Sequence, residues 1–408
     1  MNLSSLQALL ALLTLSVVSS FLPNARTKQF LLAASNACFL FLLIPNAESW
    51  ATLFGFLLSG YSVGWALQRG AGRGLLILYA VALVGSFLII RKYDFVMAWA
   101  PTSLVAHTIT VVGLSYMLFR QIAFLVDCRQ EQIQRMSLWK YVNYQLSFLT
   151  ILSGPIQRYQ EFEEQWDRLA PLLTDTHSVQ MNFLRLMIGY VKLALVAPLF
   201  LTLHEGFLAT FATAPGSSLA VATNFLGLLY AFPIYLYLNF SGYCDIVISA
   251  GHFFGMRLPE NFDKPYRSRN VIDFWTRFHR TLGFWIRDYL FLPSYKWIAE
   301  RWPKKADSLA FLCYFGAFFL AGIWHGPTAN FVVYGLLQAV GVSATKLWER
   351  HIIKRRGRAG LREYMKSRRT QIIAIVGTLH FECFSLLFFP NSLETVQNVF
   401  YLLFKTLS

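Results

Sequence analysis

The chain has 408 residues, of which 56% are hydrophobic and only 14% charged, against about a quarter charged in an ordinary soluble domain; its mean hydropathy is +0.46. That balance excludes a soluble globular protein, and 37 Phe, 19 Tyr and 11 Trp beside five Cys exclude a disordered, collagen-like or disulfide-stapled one. What remains is an all-α polytopic membrane protein. The net charge of +15 raises nucleic acid as a partner, but the basic residues fall at the edges of apolar stretches, as they do beside a bilayer, so no nucleic acid is expected.

A bilayer core of about 30 Å asks for roughly 20 uncharged residues per helix. Intervals without Asp, Glu, Lys or Arg run over 1–25, 29–47, 49–68, 74–90, 95–119, 141–157, 206–244 and 308–345. The first resembles a secretory signal, yet no Lys or Arg precedes it and another span follows at once, so a retained helix is predicted. The 206–244 interval contains the turn-like Ala-Pro-Gly-Ser-Ser of 214–218, and 308–345 is broken by Gly326-Pro327, so each predicts a hairpin. Segments 186–204 and 370–404 are apolar but carry Lys192, Glu382 and Glu394. The pattern predicts ten or eleven membrane helices, with 148–157 and 246–256 as short re-entrant pieces whose backbone is covered by protein.

The stretch 350–369 holds nine basic residues, and 257–305 holds eleven against five acidic ones. Both are expected on the cytoplasmic side, and the uncharged loop near 205–218 on the other. Cys38, Cys128, Cys244, Cys313 and Cys383 show neither CxxC nor metal spacing. No Walker A loop, dinucleotide fingerprint or internal repeat is present.

The polar and aromatic residues concentrate between Asn239 and Tyr295, where the dense polar run and Pro259 and Pro265 are expected to prevent a continuous spanning helix. Over 273–289, Phe274, Trp275, Phe278, Leu282, Trp285 and Tyr289 fall on one arc of a helix. Asp273, Arg277, Arg280 and Arg287 fall on the other, which predicts one amphipathic helix in the membrane interface with His279 at the border of its faces. His325 lies in the middle of 38 uncharged residues, at Trp324-His-Gly-Pro327. An imidazole at that depth needs a cavity or a partner and is a functional candidate by default. His107, His204 and His252 read as structural, His177 and His351 as solvated, and His380 and Glu382 as residues on different faces of one late helix.

The ordered motifs Gly113-Leu-Ser-Tyr116, Ser153-Gly-Pro-Ile-Gln-Arg-Tyr159, Phe240-Ser-Gly-Tyr-Cys-Asp245, Pro259-Glu-Asn-Phe262, Phe274-Trp-Thr-Arg-Phe-His279, Arg287-Asp-Tyr289 and Trp324-His-Gly326 resemble the membrane-bound O-acyltransferase (MBOAT) family. The likeness is to its bacterial branch of alginate and peptidoglycan O-acetyltransferases and teichoic-acid D-alanyltransferases. It covers roughly residues 110–345. Departures are Asn239, where the branch usually has Asp, Phe278 in place of Trp before His279, and Pro293-Ser-Tyr-Lys296 in place of Pro-Leu-Gly-Gly after Tyr289.

The resemblance implies an MBOAT-type helical core with re-entrant and interfacial helices around a central tunnel. N-terminal transmembrane helices would occupy 1–94, the catalytic core 95–348, and the basic loop and C-terminal helices 349–408. It implies transfer of an acyl group, acetyl foremost and D-alanyl as the other choice, from a cytoplasmic thioester to a hydroxyl of a polysaccharide, cell-envelope polymer or partner protein. The donor would be acyl-CoA or an acyl-phosphopantetheinyl carrier protein, with no permanently bound cofactor and no metal. An extracytoplasmic acyltransferase is a further implied partner, and the bacterial cytoplasmic (inner) membrane the implied location. The catalytic residues implied are His325, as general base, and His279; Asn261, Asp245, Trp324, Arg277 and Tyr243 would contact substrate. A transporter or flippase, or a scaffold for a secreted transferase, is the competing expectation from the residues alone.

Overall fold

The structure, a computed structural model, describes residues 6–22, 24–99, 113–169, 175–213 and 216–407. Among these there is no strand beyond an isolated antiparallel bridge between Phe262 and Phe278. The expected span 95–119 lies largely outside the described residues, as do His107 and part of the 214–218 turn.

The backbone divides into two compact units that interleave along the chain: residues 1–195 with 240–260, and residues 196–239 with 261–408. The first contains α1 (Leu6–Phe21), α2 (Ala25–Leu43), α3 (Ala47–Gln68), α4 (Arg73–Ile90), α5 (Asp94–Met97), α6 (Leu114–Arg129), α7 (Leu138–Gln145), α8 (Tyr159–Asp167) and α9 (Thr176–Val191). A π-helical turn, Lys192–Val196, joins α9 to α10 (Ala197–Thr213), which is followed by α11 (Ser218–Phe254). The second unit continues with α12 (Val271–Arg277), α13 (Arg280–Trp285), a π-helical stretch Ile286–Phe291, α14 (Leu292–Arg301), α15 (Ala306–Trp324), α16 (Ala329–Lys366), α17 (Arg368–Leu386) and α18 (Leu393–Leu407).

Among the described residues, five helical stretches are long and apolar enough to cross a membrane: Ala47–Gln68, Arg73–Ile90, Thr176–Phe211, Ser218–Phe254 and Ala329–Lys366. Leu9–Ser19 and Leu309–Trp324 are shorter apolar helices. Side-chain oxygens start several helices where the first amides lack partners: Asn24 accepts from Thr27 N at 3.0 Å and Asn46 from Ser49 N at 2.9 Å. The break at Gly326-Pro327 is where the sequence places it, between α15 and α16.

Two expectations are corrected and a third stands. Residues 246–254 are not a separate re-entrant piece but the last turns of α11, which runs unbroken through Asn239–Asp245; the charge of Asp245 is tolerated there because Arg185 on α9 and Lys192 just after it pair with it. The basic stretch 350–369 is helical rather than a loop, kinked at Gly357 (φ 67°) and ended near Ser367. Segment 148–157 is non-helical and largely buried, so its backbone is shielded by protein.

In the first unit, buried aromatic rings and a few polar clasps form the core. Tyr144 stands edge-on to Tyr159 at 5.3 Å and Phe162 stacks on Trp166 at 5.2 Å. Asn36 of α2 donates to Asn143 at 3.1 Å and accepts from Phe148 N at 2.8 Å. Arg120, 1% exposed, donates to the Tyr144 and Gln145 carbonyls at 2.8 and 3.0 Å and to the Thr150 hydroxyl. Its charge thereby caps the carbonyl end of α7, where a cation is favoured. Replacing it with Leu strands these acceptors out of water. Arg120→Leu is therefore expected to destabilise the protein by about 3 kcal/mol or more, read as a lower unfolding midpoint in detergent, with Arg120→Lys intermediate.

The junction of α9 with α11 is also built in this unit. Gly189 and Gly242 approach so closely that a methyl on either would overlap the other's carbonyl. Beside them, Asp245 accepts from Arg185 Nε at 2.9 Å and Lys192 Nζ at 2.8 Å. Arg185 also grips Glu260 with two bonds, at 2.6 and 2.7 Å.

Candidate active site

The second unit holds two histidines in unlike settings. His325 is the residue that ends α15; its backbone amide donates to Gly322 O at 3.2 Å, and Gly326-Pro327 then turns the chain into α16. A methyl on Gly322 would overlap the Gly335 backbone, so small residues on α15 and α16 let the two helices close tightly just below the turn. The imidazole lies in an aromatic enclosure, 4.9 Å from the Trp324 ring, 5.1 Å from Phe389 and 5.8 Å from Tyr334. The last two are edge-on. Its Nε2 is shielded from solvent and has no hydrogen-bond partner. A buried polar atom left without a partner carries a free-energy penalty, and its retention calls for an explanation such as a catalytic use.

His279 sits where the sequence predicts mid-helix, and here a further expectation is corrected. The expected continuous helix over 273–289 is broken: Phe278 is extended and His279 is left-handed (φ 49°, ψ 47°), so α12 stops and α13 starts afresh. For a residue with a β-carbon that conformation is uphill by roughly 1–2 kcal/mol and persists only when its surroundings dictate it. They do so through 261–263, which runs antiparallel to 277–280: Arg280 N donates to Asn261 O at 3.0 Å and Asp263 N to Arg277 O at 2.9 Å. The expected apolar face is nonetheless the buried one, including Phe274, Trp275, Phe278, Leu282 and Trp285. His279 itself is 3% exposed rather than on a border.

Asn261 is wholly buried. Its Oδ1 accepts from Thr281 N at 3.2 Å and Thr281 Oγ1 at 2.9 Å, and lies 3.3 Å from His279 Nδ1. The Thr281 N–H, which can only donate, fixes this oxygen as the acceptor, so Nδ1 is assigned as the protonated nitrogen and the Nε2 of His279 carries the lone pair. The two imidazoles are within electrostatic reach of one another.

Of the other sequence candidates, Trp324 lies against His325. Arg277 is at the polar edge of α12, bonded to Asp273 at 2.8 Å and within 3.8 Å of Asp263; the hydrogen bond it donates to Asp273, and that carboxylate's negative charge, raise the guanidinium's already high pKa further. Tyr243 and Asp245 belong to the first unit, Tyr243 buried and Asp245 held by Arg185 and Lys192. His204 is buried beside Phe232, His252 bonds Asn182, and His380 bonds Tyr230 on a face of α17 away from the buried Glu382. Tyr334, Phe389 and Thr281 were not legible as site residues, because aromatic and hydroxyl residues are abundant and only tertiary contact singles these out. Among the described residues no group of three or more His, Cys, Asp and Glu is arranged to hold a metal ion.

These features define a multi-pass membrane protein with a polar histidine centre enclosed by helices. The chain belongs to the membrane-bound O-acyltransferase (MBOAT) family, whose model matches residues 75–377, and it is an O-acyltransferase. It is similar to the teichoic acid D-alanyltransferase of Bacillus subtilis (strain 168), 30% identical over 348 residues, which are 82% of each chain. A teichoic acid D-alanyltransferase of Lacticaseibacillus rhamnosus is 32% identical over 59% of this chain and 60% of its own. The peptidoglycan O-acetyltransferase of Helicobacter pylori (strain ATCC 700392 / 26695) is 26% identical over 66% of this chain and 54% of its own.

Proposed function

We propose that this protein moves an acyl group from a cytoplasmic thioester to a hydroxyl of a cell-envelope polymer, with His325 as the general base. The observation that carries the reading is the Nε2 of His325, buried and unpartnered in an aromatic enclosure. A hydroxyl is a poor nucleophile at neutral pH. A neutral imidazole placed to receive its proton supplies about 10²–10⁴ in rate, and the same imidazolium then protonates the departing thiolate. His279, whose Nδ1 proton is turned to Asn261, offers Nε2 as a second acceptor that orients the hydroxyl.

The relatives support a cell-envelope acceptor, since their names specify teichoic acid and peptidoglycan. The match to the Bacillus subtilis D-alanyltransferase, 30% identical over 82% of this chain against 26% over 66% for the peptidoglycan enzyme, supports D-alanyl over acetyl. The donor is a thioester of CoA or of a phosphopantetheinyl carrier protein, drawn to the basic residues of 350–369. An extracytoplasmic second transferase is the partner that completes delivery, and the bacterial cytoplasmic membrane is the location. Mass spectrometry of envelope polymers from cells with and without the protein tests this: ester-linked D-alanine lost with the protein supports the reading, and an unchanged ester content contradicts it. Because only the neutral imidazole accepts a proton, transfer by the purified protein is expected to fall as the pH is lowered through the ionisation of His325. A rate that rises on the acid side removes the base assignment.

A further inference from the structure

The mechanism leaves unused a buried polar chain in the second unit. Glu382 on α17 is 1% exposed and Gln338 on α16 is fully buried. Gln338 Nε2 donates to Glu382 Oε2 and to Ser385 Oγ, each at 2.9 Å, while its Oε1 accepts from the Trp275 indole N–H at 2.9 Å. The Oε1 of Glu382 is buried with no partner. A buried carboxyl with an oxygen left over is a poor device for stability alone, since an apolar residue of similar volume fills the space without that penalty.

Its connections suggest another use. Trp275 lies one turn before His279, and its ring meets Phe318 of α15 edge-on at 5.4 Å. α15 is the helix that ends at His325. The carbonyl of Trp275 is so close to Gly283 that a β-carbon there would overlap it, so Trp275 is fixed against both α12 and α13, on either side of His279. Gln338 lies one turn after Tyr334, on the same face of α16, and Tyr334 is one of the rings that enclose His325. One side chain thus braces the supports of both imidazoles.

We propose that Gln338 and Glu382 are positioning residues, a strut that holds His279 through Trp275 and the wall of the His325 site through α16. The proposal rests on the reading of His325 as the base. Neither residue touches the reacting atoms; their effect is on the placement of the two rings, where a misplacement of about 1 Å is enough to cost roughly 100-fold in rate.

The test uses the full-length protein in bilayer nanodiscs with a thioester donor. Gln338→Leu and Glu382→Leu are expected to lower kcat by about 10–100-fold with the donor KM within about twofold. Glu382→Gln keeps an acceptor for Gln338 and is expected to stay within about threefold of wild type. Trp275→Phe removes the indole N–H while keeping an aromatic ring, smaller than the indole, and is expected to lower kcat in the same direction, so the question stands even if a leucine variant fails to assemble; added to Gln338→Leu it lowers kcat no further. Wild-type kcat in Gln338→Leu and Trp275→Phe, or a Glu382→Gln variant as impaired as Glu382→Leu, overturns the proposal.

His325→Gln is measured in the same assay. If it is inactive while the strut variants are normal, the strut alone is wrong. If it is active, the base reading is wrong, and diethylpyrocarbonate labelling of His279 followed by mass spectrometry decides the strut by itself. Labelling about tenfold faster in Gln338→Leu and Trp275→Phe than in wild type and Glu382→Gln supports it, and equal labelling in all four overturns it.

Discussion

His325→Gln is expected to abolish acyl transfer, with a loss of about 10²–10⁴-fold or more, while the protein still inserts and melts normally. Glutamine approximates the size of imidazole and has a polar end, but its amide does not accept a proton at neutral pH. The packing of Trp324, Tyr334 and Phe389 around the site is then retained while the base is lost. The ring's Nε2 has no structural partner, so removing it breaks no hydrogen bond and carries no stability penalty of the kind that accompanies a bonded buried group. His325→Ala is expected to be equally inactive but less stable, because it opens a cavity among three aromatic rings. Transfer rates and unfolding midpoints of the two variants, measured in parallel, separate chemistry from packing. Ordinary transfer by either variant contradicts the assignment.

The second large effect is expected at Asn261. Its Oδ1 holds the backbone amide and hydroxyl of Thr281 and faces His279 Nδ1; its own carbonyl receives Arg280 N. Asn261→Leu keeps the backbone bond but strands buried donors at about 1–3 kcal/mol apiece. It also releases the contact that fixes which nitrogen of His279 is protonated and weakens the hold on a left-handed residue. The expected result is a lower unfolding midpoint together with a fall in kcat of about 10–100-fold. Asn261→Asp retains an acceptor at the same place and is expected to recover most of the stability. Equal stability of the Leu variant and wild type would show that the hairpin is held elsewhere.

The features legible in the sequence were those set by local chemistry. Gly326-Pro327 breaks the helix because proline lacks a donor and clashes with the preceding turn, wherever the chain then goes. The 38 uncharged residues around His325 mark an imidazole far from water before any contact is known. The apolar arc of 273–289 identified the side that is buried, since periodicity survives a short interruption.

The break itself was not legible. The left-handed turn at His279 is imposed by Asn261, eighteen positions earlier, and a pattern read along one segment carries no information about a partner so far upstream. The polar run Asn239–Asp245 misled for the same reason: Asp245 inside α11 is admitted by Arg185 and Lys192 on another part of the chain. Without those partners, a carboxylate and two prolines nearby argue for a broken helix. Glu382 passed as an ordinary late-helix residue because its significance lies in Gln338 and, beyond it, Trp275. Long-range pairing, rather than propensity, decides all three.

The central claim, that an acyl group leaves a thioester for a hydroxyl at His325, is tested most directly in sealed proteoliposomes. The labelled acyl thioester is placed on the face bearing the basic 350–369 segment and a hydroxyl polymer on the other. Labelled ester is expected on the polymer with the wild-type protein and none with His325→Gln. Polymer or thioester crossing the bilayer unmodified, or ester formed equally well by the His325→Gln protein, would contradict it.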